Sequence, residues 1–434
     1  MTETAEDLIL FLNSSPTPFH AVSECSRRLM NAGFMQLKEE DYWEIETGDR
    51  FFVTRQDSSI VAFQVGSSGP EDNGFRIIGA HTDSPNLRIR PDAELKNDGY
   101  SQLAIEPYGG VLLHTWLDRD LSLAGRVFFE AEGKSTYALI NVKRPILRVP
   151  SLAIHLERDV NKKGLSLNPE KHLFPILGLE NCSRLTDLVG EEILKGERSL
   201  KSVGRIHAYD LMAYDMQPAE IIGPNNEFIS SGRLDNLSSC HAGLTSLIES
   251  SLEGESSFTR VVALFDHEEV GSVSSRGADS TFLEDVLSRV VSSTSKSSHQ
   301  HFARSFARST AISADMSHGV HPNYPDKHDR NHRPVLGSGP VIKTNVNQAY
   351  ATDSETASMF SRLCREVGVQ PQAFSSRNDL ACGSTIGAIT SARLGIKTVD
   401  VGNSMLSMHS CREFASSHDV EPIVRVFTKF FKNP

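Results

Sequence analysis

The sequence predicts an α/β protein with a central mixed sheet flanked by helices and a second, mostly β domain inserted into it. Two observations support this class. Apolar runs of strand length alternate with helical patterns up to residue 91 and again from residue 231. The chain between them carries short β-like runs without that alternation. We therefore predict a discontinuous domain formed by residues 1–91 and 231–434, and an inserted domain formed by residues 92–230.

The first segment begins with two helical patterns. Leu8, Phe11 and Leu12 share one helix face, and a second helix is predicted over residues 21–33, where Gly33 is a suitable C-cap. Strands are predicted next, over residues 51–54, 60–65 and 75–80.

The predicted insert and the last segment differ in their pattern of predicted strands and helices. In the insert, β-like runs are predicted over residues 111–113, 126–130 and 137–142, with a loop-rich stretch over residues 161–183. After residue 231, strands are predicted over residues 261–265, 311–314, 341–344 and 396–401. Helices are predicted over residues 238–252, 281–291 and 354–367, and a further amphipathic helix closes the chain. The serine-rich stretch 291–300 predicts a solvated loop.

Composition excludes several classes of protein. With 39% hydrophobic and 23% charged residues over 434 positions, the chain is typical of soluble globular proteins. No apolar stretch approaches the roughly 20 residues of a membrane span, and the acidic start does not resemble a signal peptide, so we expect a cytoplasmic protein. The net charge of −11 argues against nucleic acid and anionic membranes as partners. The six scattered cysteines indicate free thiols.

Metal-capable side chains follow several predicted strands. Glu268 and Glu269 come just after the apolar run 261–265, and His81 and Asp83 come after the run 75–80. In open α/β sheets, ligands bind beyond the carboxyl ends of the strands. In such a pair of glutamates, one can bind a metal while the other moves protons. In the His-x-Asp string, the histidine can bind metal while the aspartate fixes its ring.

Three further strings complete the set. Asp315 follows the predicted strand 311–314, and His409 comes shortly after the strand 396–401. Asp235 precedes a predicted helix, so it could be no more than an N-cap. Each string alone is weak, but together two histidines and several carboxylates suit a pair of Zn²⁺ ions. Two metals about 3.5–4 Å apart need a shared ligand, and the solitary Asp235 is the best candidate.

These strings resemble the motifs of the aspartyl aminopeptidases, a family of dinuclear zinc metallopeptidases with a zinc-exopeptidase-like domain. The resemblance covers essentially the whole chain. It rests on the segments 79–85, 233–236, 266–272, 313–315, 321–324, 382–387 and 408–410.

The resemblance implies a specific site. Glu268 would be the general base, Asp83 would orient His81, and Asp235 would bridge two zinc ions per subunit. It also implies that the insert forms a dimerisation domain, and that the dimers assemble into a tetrahedral dodecamer. The zinc ligands would be His81, Asp235, Glu269, Asp315 and His409.

The family's substrates are peptides with an acidic N-terminal residue, and they need a cation in the pocket. Lys343 matches the position of that cation, although a lysine on a strand commonly faces solvent. Tyr350 and His318 lie in neighbouring segments that match the family's pocket. His155 alone would be taken as a core or interface histidine. The family implies that it reaches the neighbouring subunit's active site.

Rival interpretations remain open at this point. A related dinuclear hydrolase could instead act on neutral N-terminal residues or on amides, because a fold does not fix a substrate. A non-catalytic assembly protein would not need Glu268. His321, His328 and His332 are spaced like metal ligands but fall in a polar loop, which favours a solvated segment.

Overall fold

Three β-sheets and the helices that cover them form the described residues, 2–294 and 298–432, of the computed structural model. The predicted mixed α/β class is confirmed. The strands are β1 (Met35–Leu37), β2 (Arg50–Arg55), β3 (Ser59–Gln64), β4 (Phe75–His81), β5 (Asn86–Asn97), β6 (Tyr100–Tyr108), β7 (Leu121–Ala131), β8 (Lys134–Asn141), β9 (Ile176–Leu179), β10 (Ile206–Asp215), β11 (Glu220–Ile222), β12 (Phe228–Ser231), β13 (Thr259–Phe265), β14 (Thr310–Ala314), β15 (Ser317–His318), β16 (Val341–Lys343), β17 (Gln372–Phe374), β18 (Lys397–Gly402), β19 (Ser404–Leu406) and β20 (Glu413–Ser416).

Twelve α-helices lie in the same described ranges. None of them is long and apolar enough to cross a membrane. They are α1 (Glu3–Ser14), α2 (Pro18–Asn31), α3 (Pro70–Asn73), α4 (Val160–Lys163), α5 (Pro169–His172), α6 (Leu185–Gly196), α7 (Leu234–Leu252), α8 (Phe282–Thr294), α9 (His299–Ala307), α10 (Ser354–Glu366), α11 (Ile386–Leu394) and α12 (Val420–Phe430).

The largest sheet runs in the order β1-β2-β3-β13-β4-β14-β18-β16-β17. Its centre is parallel, since β13, β4, β14 and β18 pair in one direction, while β3 and β16 join them antiparallel. Every residue of β13 is buried because helices cover both faces. Val262 faces the side packed by α7 and α12, whereas Val261 faces the side packed by α8 and α11. This alternation follows from the two-residue period of a strand.

The second sheet is antiparallel throughout, in the order β8-β7-β10-β5-β6-β9. It has a hydrophobic core of its own. All of its strands lie between Asn86 and Asp215, and the predicted boundary at residues 91 and 92 falls within β5. The division into residues 1–91 with 231–434 and residues 92–230 stays a prediction.

The third sheet joins segments from both sides of the predicted boundary near residue 231. It runs in the order β11-β12-β20-β19-β15, and β12 pairs with β20 so that Ser231 lies opposite Glu413. The segments that carry Asp235 and His409 flank this pairing in the sequence. The third sheet therefore brings two distant parts of the chain together beside the ends of the central strands.

Two local predictions were wrong. Residues 111–113 do not form a strand, because the chain leaves β6 through Gly109 and Gly110 and turns into a short 3₁₀ helix, Leu113–Trp116. The serine-rich loop predicted over residues 291–300 is shorter than expected, since α8 continues to Thr294 and α9 begins at His299. Residues 295–297 of that loop lie outside the described residues.

Candidate metal centre

The carboxyl ends of the central strands bring the first group of predicted site residues to one edge of the sheet. His81 is the last residue of β4, and it lies in register with Phe265, the last residue of β13. Asp315 follows β14 directly. Glu268 and Glu269 lie in the short 3₁₀ helix after β13. Because these strands are parallel and in register, residues from separate parts of the sequence meet at one edge of the sheet.

Asp235 lies between the two predicted histidine ligands. Its Oδ1 is 3.5 Å from His81 Nε2, and its Oδ2 is 3.4 Å from His409 Nε2. His81 Nε2 is also 3.5 Å from Asp315 Oδ1, and His409 Nε2 is 3.3 Å from Glu269 Oε2. Each histidine therefore faces Asp235 and one further carboxylate. Asp235 is not a plain N-cap, because its side chain points into this cluster.

The donor set fits divalent cations that accept nitrogen and oxygen ligands. Three groups of residues each offer possible ligand atoms that lie within 4.8 Å of one another. Two of them share Asp235: one contains His81, Asp235 and Asp315, and the other contains Asp235, Glu269 and His409. Asp235 Oδ1 and Glu269 Oε1 are buried, and neither has a hydrogen-bond partner among the described residues. Buried carboxylate oxygens without partners are costly. A cation at these positions would satisfy both of them.

Glu268 lies beside the cluster with its Oε2 4.0 Å from His81 Nε2. Burial raises the pKa of Glu268 to about 7, and the charges of Asp315, Asp83 and Asp235 act in the same direction. The pKa of Glu269 is raised well above its usual range, also chiefly by burial. A carboxylate with a pKa near neutrality can both accept and release a proton.

Asp83 is completely buried and organises the residues around it. It accepts hydrogen bonds from the backbone N–H groups of Glu268 at 3.1 Å and Glu269 at 3.0 Å. Its Oδ1 is 3.3 Å from His81 Nδ1. His81 can therefore direct Nε2 at the cluster while Asp83 faces the other ring nitrogen, the arrangement typical of metal-bound histidines.

The end of β6 supplies contacts that the sequence did not predict. Tyr108 donates its hydroxyl to Asp83 Oδ2 at 2.6 Å, and the carbonyl of Gly110 is 3.1 Å from His409 Nδ1. A Cβ added to Gly109 would lie 3.1 Å from the Cβ of Glu269. The adjacent glycines after a strand were the available signal, because such pairs allow a close backbone approach.

Glu413 is a further residue of the site that the sequence did not predict. It is 2% exposed, and its two carboxylate oxygens accept hydrogen bonds from the backbone N–H groups of Asp235 and His409. Burial, followed by the negative charge of Asp235, raises the pKa of Glu413 to about 8. Its position four residues after His409 was the only sequence signal.

Lys343 does not face solvent. It is 2% exposed and donates to Asp315 Oδ2 at 2.9 Å and to the carbonyl of Met316 at 3.2 Å. Its ammonium group lies 5.2 Å from the centre of the Tyr350 ring. His318 and Tyr350 both contact Phe374 edge-on, with ring centres 5.9 and 6.4 Å away. These three predicted pocket residues therefore surround one region beside Asp315.

His155 is not brought to the centre by its own chain. It lies in an exposed segment of the predicted insert, and no hydrogen bond or ion pair within the described ranges joins it to the cluster. The histidines of the polar loop form no metal group in the part of the chain that the structure describes. His332 pairs instead with Asp329, and His321 packs on Tyr324.

Comparison with known proteins adds a family to this geometry. Residues 11–431 match the family model described as Aminopeptidase I zinc metalloprotease (M18). The chain is 50% identical to a probable M18 family aminopeptidase 2 of Ectopseudomonas mendocina, covering 100% of this chain and 99% of that protein. It is 47% identical to the protein of the same name from Pseudomonas aeruginosa strain LESB58, covering 99% and 98% of the two chains.

Two solved structures are also similar to this chain over nearly its whole length. A chain in the cryo-EM structure of the Ape4 and Nbr1 complex matches with a TM-score of 0.94 at 42% identity, covering 99% of this chain and 85% of that one. The mApe1 dodecamer of S. cerevisiae matches with a TM-score of 0.86 at 28% identity, covering 99% and 96%.

The contact between Tyr108 and Asp83 can be tested by Tyr108→Phe. A hydrogen bond to a buried charge contributes roughly 1.5–3 kcal/mol, so we expect a loss of that size in the free energy of unfolding of the metal-free protein in urea. Tyr214→Phe is the matched control, because Tyr214 donates at 2.6 Å to the neutral Asn141 and should cost only about 1 kcal/mol. Equal losses in the two variants would contradict a special role for the contact with Asp83.

Proposed function

The chain belongs to the M18 family of zinc aminopeptidases, and from that premise we propose that it removes acidic N-terminal residues, Asp or Glu, from peptides at a centre of two zinc ions. One observation carries the two-metal part of this proposal. Asp235 turns one carboxylate oxygen toward His81 and the other toward His409. A carboxylate shared in this way is the usual bridge between paired metals.

The proposed ligands divide into two sets that share Asp235. His81 and Asp315 complete one set, and Glu269 and His409 complete the other. Nitrogen and oxygen donors without cysteine suit a catalytic zinc site. Zinc at these ligands supplies a Lewis acid that polarises a carbonyl and lowers the pKa of water.

Glu268 is the proposed general base. Its carboxylate takes a proton from the attacking water and later delivers it to the nitrogen of the leaving amine. Its position 4.0 Å from His81 Nε2 supports this role, because it lies beside the proposed ligands. His81, Glu268 and Glu269 also form a group within 4.8 Å, so a ligand role for Glu268 is the alternative. The zinc content of a Glu268 variant distinguishes the two roles, because loss of a ligand would release zinc and loss of a base would not.

Glu268→Gln separates these roles. The variant keeps the shape of the side chain but cannot take up a proton, so we expect kcat to fall by roughly 10² to 10⁴ with two zinc ions retained. Glu269→Gln is the matched variant one residue away, and we expect it to lose zinc. Atomic emission spectroscopy and kcat on an aspartyl substrate provide the readouts. Near-normal turnover or lost zinc in Glu268→Gln would remove Glu268 from the base role.

The proposed preference for acidic residues depends on Lys343. The whole chain carries a net charge of −11, which disfavours an anionic substrate, so a local cation is required. Lys343 is a buried cation at the edge of the proposed ligand Asp315. Its contact with the Tyr350 ring and the position of His318 near Phe374 support a pocket in this region. A substrate carboxylate would accept a charge-assisted hydrogen bond from the Lys343 ammonium group.

Lys343→Met tests this pocket. Loss of a hydrogen bond to a charged group costs roughly 1.5–3 kcal/mol, so kcat/KM for an aspartyl or glutamyl substrate should fall about 10- to 100-fold relative to a leucyl substrate. The leucyl substrate is the internal control, because any effect through Asp315 lowers both rates. Equal losses would contradict the acidic preference, as would faster leucyl than aspartyl cleavage by the natural protein. Either outcome would favour a neutral-residue aminopeptidase or amide deacetylase.

Assembly into a homo-oligomer built from dimers is part of the proposal, with the inserted domain, residues 92–230, as the dimerisation domain. Three apolar side chains around His155 support a covered surface, because Leu152 is 65%, Ile154 47% and Leu156 73% exposed. Contiguous exposed apolar residues are typical of interaction sites. The similar mApe1 is a dodecamer. His155 would then enter the active site of a neighbouring subunit and stabilise the reacting carbonyl oxygen.

Complementation tests whether His155 acts across subunits. His155→Ala and Glu268→Gln should each be nearly inactive, but co-expressed chains should regain activity. A mixed dimer contains one site with both groups intact, so random pairing should restore about a quarter of the natural activity. Co-expression of two Glu268→Gln chains carrying different tags is the control. No recovery, with mixed assemblies verified by tandem tag purification, would show that His155 does not act in a neighbour's site.

A further inference from the structure

We propose that Glu413 is a positioning residue of the metal centre, whose buried carboxylate fixes the main chain of Asp235 and His409 so that their side chains face the same metal ion. The inference rests on the two-metal centre proposed above. It adds a residue that touches neither metal nor substrate and acts only through two proposed ligands.

The contacts join two segments far apart in the sequence. Glu413 Oε2 accepts from the N–H of Asp235 at 3.1 Å, and Oε1 accepts from the N–H of His409 at 2.7 Å. One carboxylate therefore holds both backbones, while Asp235 Oδ2 and His409 Nε2 approach to 3.4 Å. Because both backbones are hydrogen-bonded to the same carboxylate, the two ligands cannot move far apart.

The surrounding sheet explains why Glu413 is in this place. It is the first residue of β20 and pairs with Ser231 at the end of β12, just before the segment that leads to Asp235. The loop that carries His409 connects β19 to β20, which pair antiparallel. His409 itself has a left-handed backbone with a φ of 67°, a conformation that costs a non-glycine residue free energy. The hydrogen bond from its N–H group helps to hold that conformation.

Glu413 is buried beside a second carboxylate. No lysine or arginine among residues 2–294 and 298–432 forms an ion pair with it, and the carboxylate of Asp235 lies nearby. A buried carboxylate beside another carboxylate destabilises a protein unless cations compensate. Two metal ions at the proposed ligands would supply that compensation. The hydrogen bonds from Asp235 and His409 to Glu413 therefore act on the position of two proposed ligands, and their effect is expected in zinc affinity, which a merely structural residue would not change.

Glu413→Gln tests this difference. Glutamine has nearly the same shape, but it offers one carbonyl acceptor where glutamate offers two oxygens, and it carries no charge. We expect zinc affinity at the weaker site to fall about 10- to 100-fold, the usual effect of losing a partner behind a metal ligand. Competition with a chromogenic chelator measures this affinity. Urea unfolding in EDTA measures the stability of the metal-free variant separately from its zinc affinity.

Asp419→Asn is the matched control for zinc affinity. Asp419 is also buried, and its two oxygens accept from the backbone N–H groups of Gly337 and Gly339 at 2.7 and 2.8 Å. The same chemical change there should leave zinc affinity at the natural value. Glu413→Asp keeps the charge on a shorter side chain and should give an intermediate affinity. It also serves if the glutamine variant does not fold.

Natural zinc affinity in both Glu413 variants would overturn the positioning role. A loss of metal-free stability in Glu413→Gln with unchanged zinc affinity would likewise show an ordinary structural role. A natural chain that binds fewer than two zinc ions would overturn the two-metal proposal, and this inference with it. Two tightly bound ions in the natural chain leave the first proposal standing, whatever Glu413 does.

Discussion

Repulsion between buried carboxylates is the constraint on which the rest of this structure depends. Asp235, Glu268, Glu269 and Asp315 converge within a few ångströms of two histidines, and burial together with the neighbouring carboxylates raises the pKa of both glutamates. Such a cluster costs folding free energy, because buried carboxylates lose water and oxygens of Asp235 and Glu269 gain no hydrogen-bond partner among the described residues. The surrounding architecture can be understood as the means of keeping these groups together. Parallel strands deliver them to one edge, and hydrogen bonds from fixed backbone N–H groups hold their supports.

Hydrophobic packing on both faces of the central sheet holds that edge rigid. Alternate residues of β13 pack into different hydrophobic clusters, so the strand cannot slip by one residue without exposing one set to the wrong face. The register between β13 and β4 in turn fixes His81 beside the turn that carries Glu268 and Glu269. At Gly402, the last residue of β18, a Cβ would lie 1.8 Å from the carbonyl oxygen of Asp315. Only glycine at residue 402 therefore lets β18 approach the backbone of Asp315 this closely.

The first groups of site residues could be predicted because they follow apolar runs directly. His81, Asp315 and the two glutamates each mark the end of a strand, and period and polarity in the sequence carry that information. Tyr108, Gly110 and Glu413 could not be found in this way. Gly110 and Glu413 contact residues far away in the sequence, His409 and Asp235, and Tyr108 contacts Asp83 across 25 residues. The adjacent glycines after β6 and the spacing of four residues between His409 and Glu413 do not by themselves identify these contacts. The strand predicted over residues 111–113 was wrong for a similar reason. The N–H of Leu112 donates to the carbonyl of His409, and this distant contact sets the local conformation.

The segment from Tyr108 to Leu112 has a consequence for any attempt to shorten the protein. This stretch at the end of β6 contacts Asp83, which supports the first histidine, and both the ring and the backbone of the second. A chain that lacked the second sheet would need other groups at each of these contacts. Deleting the second sheet to obtain a smaller catalyst would remove the hydrogen bond that Asp83 accepts and the contacts that hold His409, whatever it did to assembly.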